Sequence, residues 1–232
     1  MFDIPEVPCI QRDQMGRFIP YPGIIPDLRP SPELSYCLGA IKGDGYIYIA
    51  PKFREYKIRL RVTNRKFAQR FFNSLRAIGL NPWFKNIVPQ QAGWQPQFGV
   101  FACSKSFCLW YRNLTTSALS NFIDHNEENI KQFVAGFFDA EGCIHRGIRK
   151  RYYKGYHWNE NKHIILFRNT DLDLILLVDG LLQKLGFPFH INTAQARGIR
   201  VPCYSLRTAK GDLYNKFLRE IPAVKCREVF NG

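Results

Sequence analysis

Two short apolar runs in this chain each end in an acid followed by glycine. The first run, CLGAIKGDG, covers residues 37–45, and the second, FVAGFFDAEG, covers residues 133–142. Apolar residues at helical spacing followed by a terminal glycine are typical of a helix and its C-terminus. The two runs therefore predict two helices of one design, the first ending at Asp44 and the second at Glu141.

Small residues stand four positions apart inside both predicted helices. They are Gly39 and Gly43 in the first helix, and Gly136 and Ala140 in the second. Because such small side chains let two helix backbones approach closely, the two helices can pack directly against each other. If they pack about a pseudo-twofold axis, their terminal acids converge at one end of the pair.

The patterns that follow these helices come in the same order in both halves of the chain. Alternating apolar positions predict strands and amphipathic spacing predicts helices, so each half has the order helix, strand, strand, helix, strand, strand, helix. The second helices also align by sequence, with Thr63 falling on Thr170 and Gly79 on Gly186. The pattern predicts an α+β fold of tandem αββαββα repeats. The predicted elements lie at 46–50, 56–63, 65–78, 83–88, 98–103 and 107–114 in the first half, and at 143–148, 163–169, 171–185, 190–194, 201–207 and 210–220 in the second.

Two stretches lie outside this pattern. Residues 1–30 are rich in proline and predict an extended N-terminal arm, so that residues 31–124 and 125–232 form the two repeats. Residues 149–158, RKRYYKGYHW, predict a long loop or strand ends. Side chains that combine cations with aromatic planes suit phosphates and exposed bases.

The charge balance favours a polyanionic partner. Lys and Arg total 33 against 19 acids, which gives a formal net charge of +14. A basic protein of this kind is expected to bind nucleic acid, although a merely soluble basic protein is the alternative. The alternation in YKIRLRVT supports the first interpretation, because Lys57, Arg59 and Arg61 share one face of a predicted strand. A solvated strand face is the alternative there.

Composition also bounds the setting of the protein. No apolar run reaches the ~18–20 residues that a membrane span needs. The N-terminus lacks the pattern of a signal peptide, and the seven cysteines include no CxxC pair. These features predict an intracellular protein, cytoplasmic or organellar, without membrane association.

The terminal acids predict a site for divalent cations. The C-terminus of a helix already carries partial negative charge, so Asp44 and Glu141 add like charge to like. Such a pair is unfavourable when empty and favourable around a divalent cation, and its oxygen ligands suit Mg²⁺ better than zinc. A simple Asp-Gly or Glu-Gly turn is the alternative for either acid alone. Asp139 has no counterpart, since Lys42 holds that place in the first run, and it is expected to pack or cap beside the helices.

Both runs resemble the two motifs of single-chain LAGLIDADG homing endonucleases, and the resemblance extends over nearly all of residues 31–230. It implies two four-stranded antiparallel sheets that form a saddle over DNA around a central helix pair. It assigns the metal contacts to Asp44 and Glu141, together with Gly43 and Ala140. Mg²⁺ is the implied metal, Mn²⁺ is expected to substitute for it, and Ca²⁺ is expected to bind without supporting cleavage.

The resemblance implies further site residues. Asn64 and Asp171 fall where the family has a polar residue that orients water, and Lys225 matches a lysine that assists after the last helix. The first-half counterpart of Lys225 is Asn126. The first motif departs from the family by carrying Cys37 and Lys42, but both metal acids are intact.

The implied function is a site-specific endonuclease of the intron-homing type. It would cut one phosphodiester on each strand of double-stranded DNA, across the minor groove, and leave short 3′ overhangs. A non-cleaving RNA maturase or DNA-binding module on the same scaffold is the alternative, although pure binding gains nothing from a repulsive carboxylate pair.

No GK[ST] ending follows the glycines of the first motif, so no nucleotide cofactor is expected. One chain with both repeats predicts a monomer on DNA. Predicted DNA contacts are Lys57, Arg59, Arg61, Gln90, Gln91, Arg149, Lys150, Arg151, Lys154, Arg168, Arg197, Arg200 and Arg207.

Overall fold

The computed structural model describes residues 25–89, 93–194, 202–208 and 211–230. In chain order its first half contains α1 (Pro32–Gly43), β1 (Gly45–Ala50), β2 (Glu55–Val62), α2 (Arg65–Ala77), β3 (Trp83–Ile87), β4 (Gln97–Cys103), α3 (Lys105–Arg112) and α4 (Thr116–Ile123). Its second half contains α5 (Glu127–Glu141), β5 (Gly142–Tyr153), β6 (Tyr156–Asn169), α6 (Leu172–Lys184), β7 (His190–Ala194), β8 (Cys203–Thr208), α7 (Gly211–Glu220) and α8 (Val224–Phe230).

The strands form two four-stranded sheets with one topology. The order is β1-β2-β4-β3 in the first sheet and β5-β6-β8-β7 in the second, and all neighbours are antiparallel. The same order in both halves confirms the predicted α+β architecture with two antiparallel sheets. Beyond the predicted elements, each half ends with one more short helix, α4 in the first and α8 in the second.

Side-chain caps set the helix starts that the sequence predicts. Ser31 accepts a hydrogen bond from the Leu34 N–H at the start of α1, and Asn126 accepts one from Asn129 at the start of α5. These caps satisfy backbone donors that have no partner within the helix. Asn126, the predicted counterpart of Lys225, therefore has a capping role.

The core joins both halves through α1 and α5. Residues 34–41 of α1 are all buried, as is most of the facing helix. Each sheet packs one face on this core: in β2 the side chains of Ile58, Leu60 and Val62 are buried, as the alternation predicts. The opposite face of each sheet is open to a partner.

The basic-aromatic stretch 149–158 forms strand ends, the second of its two predicted alternatives, because its residues continue β5 and β6 into a long antiparallel ladder. Only a two-residue turn at Lys154 and Gly155 interrupts it, and both residues have positive φ, 47° and 84°. Two such residues in sequence match the turn that closes tight hairpins.

The described cysteines are free thiols, and the described helices give no candidate for a membrane span. Cys37, Cys103, Cys108, Cys143, Cys203 and Cys226 are all free. Among the described residues, no helix has the length and apolar character needed to cross a membrane.

Candidate active site

Helices α1 and α5 touch along their small residues. A Cβ atom on Gly39 would lie 2.2 Å from the Phe133 carbonyl oxygen, and one on Gly136 would lie 2.2 Å from the Tyr36 carbonyl oxygen. A Cβ on Gly43 would lie 2.3 Å from the Cβ of Ala140. No side chain fits at these distances, so glycine sets the spacing of the helix pair.

This packing brings the two terminal acids together. Asp44 caps the C-terminus of α1 and is exposed, while Glu141 is the last residue of α5 and is half-buried. The two acids lie near each other: a Cβ on Gly43, next to Asp44, would lie 3.1 Å from the Cγ of Glu141, and the charge of Asp44 raises the pKa of Glu141. Convergence of the acids at one end of the pair is therefore present in the fold.

Burial disfavours the ionised form of both acids, and the charge of Asp44 adds to this effect at Glu141. Burial raises the pKa of Asp44 above its ordinary value, and the Lys225 ammonium opposes that shift. Burial is also the largest cause of the raised pKa of Glu141, followed by Asp44, whereas Lys225 and a hydrogen bond from Asn169 oppose it. The ionised form of both carboxylates is therefore disfavoured, and a bound divalent cation would stabilise it.

The Lys225 ammonium lies at the C-terminal end of α5. Its Nζ donates to the carbonyl oxygens of Gly142 at 2.7 Å and Ala140 at 3.2 Å. Burial lowers the pKa of this lysine, while the charges of Asp139, Asp44, Cys143 and Glu141 raise it. The structure therefore brings Asp44, Glu141 and Lys225 into one cluster.

Asp139 holds the helix that carries Lys225. Its buried carboxylate accepts hydrogen bonds from the Tyr36 hydroxyl at 2.8 Å and from the backbone N–H groups of Val224 and Lys225, both at 3.0 Å. Arg70 approaches the same carboxylate at 3.9 Å and lies over the Tyr36 ring. Burial raises the pKa of Asp139, and these partners oppose the shift. Asp139 is structural, as expected, but the structure it supports includes the candidate site.

Asn64 and Asp171 cap the second helices of the two halves. Asn64 accepts from the Phe67 N–H at 3.0 Å and donates to the Glu228 carboxylate, with its shorter contact at 3.1 Å. Asp171 accepts from the Leu174 N–H at 3.1 Å. Their predicted role in orienting water stays a prediction beside this observed capping.

Asn169 is a site residue that the motif comparison missed. Its Nδ2 donates to the Glu141 carboxylate at 3.0 Å. The residue lies on the same face of β6 as the buried Ile165 and Phe167, at a position where the alternation calls for an apolar side chain. A polar residue at an inward-facing strand end was the available signal.

The donor set fits a hard divalent cation. Two carboxylates with raised pKa values supply oxygen ligands, and Mg²⁺ commonly takes only one or two carboxylates from the protein, with substrate phosphates completing its shell. No cluster of three or more His, Cys, Asp or Glu side chains occurs within the described ranges. The Ala140 carbonyl oxygen, a predicted metal contact, already accepts from Lys225.

The predicted DNA contacts lie mainly on the open faces of the sheets. In the first sheet Lys57 and Arg59 lie over the Tyr48 ring, and Arg61 lies over Phe101. In the second sheet Arg168 and Arg207 are exposed beside a shallow cleft. Lys150 and Lys154 are exposed on the long ladder of β5 and β6, which also carries Arg151. Gln90, Gln91, Arg197, Arg200 and the side chain of Arg149 lie outside the described residues.

Sequence comparison finds a family for the second half of the chain. Residues 128–222 match the family described as a LAGLIDADG-like domain. Two uncharacterized proteins of Methanocaldococcus jannaschii, MJ0314 and MJ0398, are each 29% identical to this chain, over 165 and 180 residues. These alignments include 71% and 74% of this chain but only 59% and 55% of the two relatives. The chain thus spans a little more than half the length of either one.

Fold comparison gives neighbours that cover most of the chain. The homing endonuclease I-DmoI in complex with DNA and Ca has a TM-score of 0.60 at 16% identity, covering 87% of this chain and 98% of that one. The N-terminal LAGLIDADG domain of DUF199/WhiA has a TM-score of 0.57 at 13% identity, covering 86% of this chain and 85% of that one. Residues 128–222 thus match a LAGLIDADG-like domain, and the chain shares the fold of these LAGLIDADG structures.

Proposed function

We propose that this protein is a divalent-metal-dependent endonuclease that cuts both strands of duplex DNA. The observation that carries the proposal is the meeting of Asp44 and Glu141 at the ends of two closely packed helices, with Lys225 beside them. A scaffold that only binds DNA has no use for two neighbouring carboxylates whose ionisation is opposed by burial.

The acids would hold the metal, and the metal would supply an activated water and stabilise the leaving oxygen at the phosphate. Asp44 and Glu141 would bind it, and Asn169 would orient Glu141 through its hydrogen bond. Lys225 would place positive charge beside the phosphate, where negative charge grows during hydrolysis. Mg²⁺ is the expected ion, and I-DmoI complexes contain Mn or Ca with DNA.

The two sheets would form the binding surface for DNA. Their open faces carry Arg59, Arg61, Arg168 and Arg207, which would contact phosphates and base edges. Two repeats in one chain give a pseudo-twofold surface, so a monomer would match a duplex site and place one cut on each strand. Homing of an intron and short 3′ overhangs belong to this proposal.

A second candidate is a DNA-binding module that does not cut. Its support is the structural similarity to the LAGLIDADG domain of DUF199/WhiA, which is not described as an endonuclease. A non-cleaving RNA maturase on the same scaffold is the other form of this alternative. Neither a DNA-binding module nor a maturase would use the acid pair for catalysis.

A plasmid library with randomised inserts separates these functions. Incubation with the protein in Mg²⁺, followed by ligation and sequencing of the broken ends, reports both the sites and the position of each cut. The proposal expects enriched double-strand breaks in Mg²⁺ and protein retention without breaks in Ca²⁺. Retention in both ions without any break would favour the binding module and refute the endonuclease.

A further inference from the structure

The hairpin of β5 and β6 is much longer than its counterpart in the first half. Strand β5 contains 12 residues, whereas β1 contains 6. Strand β8 pairs with β6 only from Ile165 to Asn169. From the pair His145–Ile164 to the pair Tyr153–Tyr156, β5 and β6 form a two-stranded ribbon, which we call the arm.

The arm points away from the candidate active site. Strand β5 starts at Gly142, directly after Glu141, and the arm's turn lies at the other end of that strand. The six additional residues of β5 add about 20 Å at ~3.4 Å per residue. Since duplex DNA rises ~3.4 Å per base pair along each strand, the additional length corresponds to about 6 base pairs.

The base of the arm contacts the core, because Arg146 donates a hydrogen bond to the Tyr214 hydroxyl and the His163 ring stacks on the Tyr214 ring. Beyond this base, large side chains of the arm are exposed. Ile148, Tyr152, Tyr153 and Tyr156 are 67%, 69%, 61% and 76% exposed. A two-stranded ribbon is only marginally stable by itself in water. Large side chains held in solvent on such an element indicate a surface that a partner covers.

The positive charge and the aromatic side chains of the arm favour nucleic acid as that partner. Its sequence from residue 145 to residue 164, HRGIRKRYYKGYHWNENKHI, contains six cations and one acid, Glu160. By register, Arg151, Tyr153 and Tyr156 belong to the open face of the sheet, while Lys150 and Tyr152 belong to the opposite face. Lys154 stands at the turn, with its Nζ 5.4 Å from the centre of the Tyr153 ring.

Cations on both faces suit an element with phosphates on both sides. The major groove of B-DNA is about 12 Å wide, admits a two-stranded ribbon and is walled by phosphates on either side. A flat protein surface or a membrane would meet only one face of the ribbon. The aromatic side chains would contact sugars and base edges along the groove.

We propose that the arm lies in the major groove beyond the sheets and extends the DNA site by about 6 base pairs on the side of the second repeat. This inference rests on the proposed function, since it takes duplex DNA as the ligand. It makes the site asymmetric: the second half-site is longer than the first because only the second repeat carries the arm.

Hydroxyl-radical footprinting tests the asymmetry. The probe is a duplex selected from a random library by binding in Ca²⁺, with the cut positions in Mg²⁺ marking its centre. In the first variant Asn-Gly replaces residues 149–160, because Ile148 and Asn161 are paired and a two-residue turn can join them. The second variant keeps the fold of the arm and carries Lys150→Gln, Arg151→Gln and Lys154→Gln. The matched control carries Arg76→Gln, Lys184→Gln and Arg219→Gln on helices α2, α6 and α7.

The wild type and the control should protect about 6 base pairs more on one side of the cuts than on the other. Both arm variants should lose this excess and keep the same cut positions. The triple neutralisation should also reduce the slope of log affinity against log salt by up to about 3, since each phosphate contact contributes ~0.9. The control should leave that slope nearly unchanged.

Two results would overturn the inference. Unchanged footprints and salt slopes in both arm variants, with normal cutting, would refute the contact between the arm and DNA. The proposed endonuclease function would stand. Failure of the wild type to retain any duplex would remove the inference together with the proposed function.

Discussion

At the scale of the residue, the ionised carboxylates of Asp44 and Glu141 lower the stability of the fold when no cation is bound. Their pKa values are raised in the folded chain, so each acid costs stability once the pH exceeds its ordinary pKa, and the cost disappears as the pH falls below that value. Replacing either charge by an amide removes the cost. The acids are therefore suited to a cation and not to the stability of the fold.

We expect Asp44→Asn and Glu141→Gln to raise the Tm in EDTA at pH 7, because each removes a destabilised charge. The difference from wild type should shrink as the pH falls towards 4, where the wild-type acids become protonated. Addition of Mg²⁺ at pH 7 should raise the Tm of the wild type more than that of either variant. Thermal melts in EDTA and in Mg²⁺ at several pH values measure this, and an equal metal response in all three proteins would contradict it.

Asp139 gives a second prediction at this scale. Asp139→Asn leaves at least one of its buried donors without an acceptor and leaves Arg70 without its charge partner, so it should cost about 3 kcal/mol of unfolding free energy. Asp179→Asn is the control, because Asp179 is also buried, but among the described residues its carboxylate accepts from Gln183 at one oxygen and has no partner at the other. Urea unfolding compares the two variants, and equal losses would show that the Asp139 network adds nothing.

At the scale of the element, glycine sets how closely α1 and α5 pack. Gly39→Ala or Gly136→Ala places a methyl group on the backbone of the opposite helix and should cost about 3 kcal/mol or separate the helix ends. Gly180→Ala in α6 is the matched control, since its Cβ meets nothing within 4 Å and alanine favours a helix by up to about 1 kcal/mol. Denaturant unfolding of the three variants measures this. A loss in Gly180→Ala as large as in the other two would contradict the packing argument.

The sequence predicted these helices because their signals are local. Apolar spacing, caps such as Ser31 and Asn126, and terminal glycines act within a few residues of each other. For residues 149–158 the choice between a loop and strand ends stayed open, because their charges and tyrosines lack the alternation that a buried face imposes on a strand. Asn169 was missed because it contacts Glu141 only when β6 folds beside the end of α5.

The role of Asp139 needed the fold for a similar reason. Its partners Tyr36, Arg70 and Val224 lie in separate parts of the chain and meet only around the packed helices. Sequence spacing cannot place a helix as short as α8, so the link from Asp139 to Lys225 had no local signal. By contrast, the pairing of Asp44 with Glu141 followed from a repeat that both halves display.

At the scale of the whole molecule, the position of the cations matters more than their number. Arg168 and Arg207 lie on the open face of the second sheet, whereas Arg76 and Arg219 lie on helices outside the sheets. Arg168→Gln with Arg207→Gln should lower duplex affinity about tenfold and reduce the salt slope by about 2. Arg76→Gln with Arg219→Gln makes the same change in net charge and should leave both nearly unchanged. Fluorescence anisotropy across a salt series measures these effects, and equal losses in the two pairs would indicate binding by net charge alone.

The central claim is that Asp44 and Glu141 form one metal-dependent site for cutting DNA. Its most direct test is cleavage of an end-labelled duplex, selected by binding in Ca²⁺, by the wild type, Asp44→Asn and Glu141→Gln, with affinity measured in parallel. We predict that the wild type breaks both strands in Mg²⁺, and that each variant retains binding but loses double-strand cleavage by at least about a hundredfold. Double-strand cleavage by either variant at the wild-type rate would contradict the account.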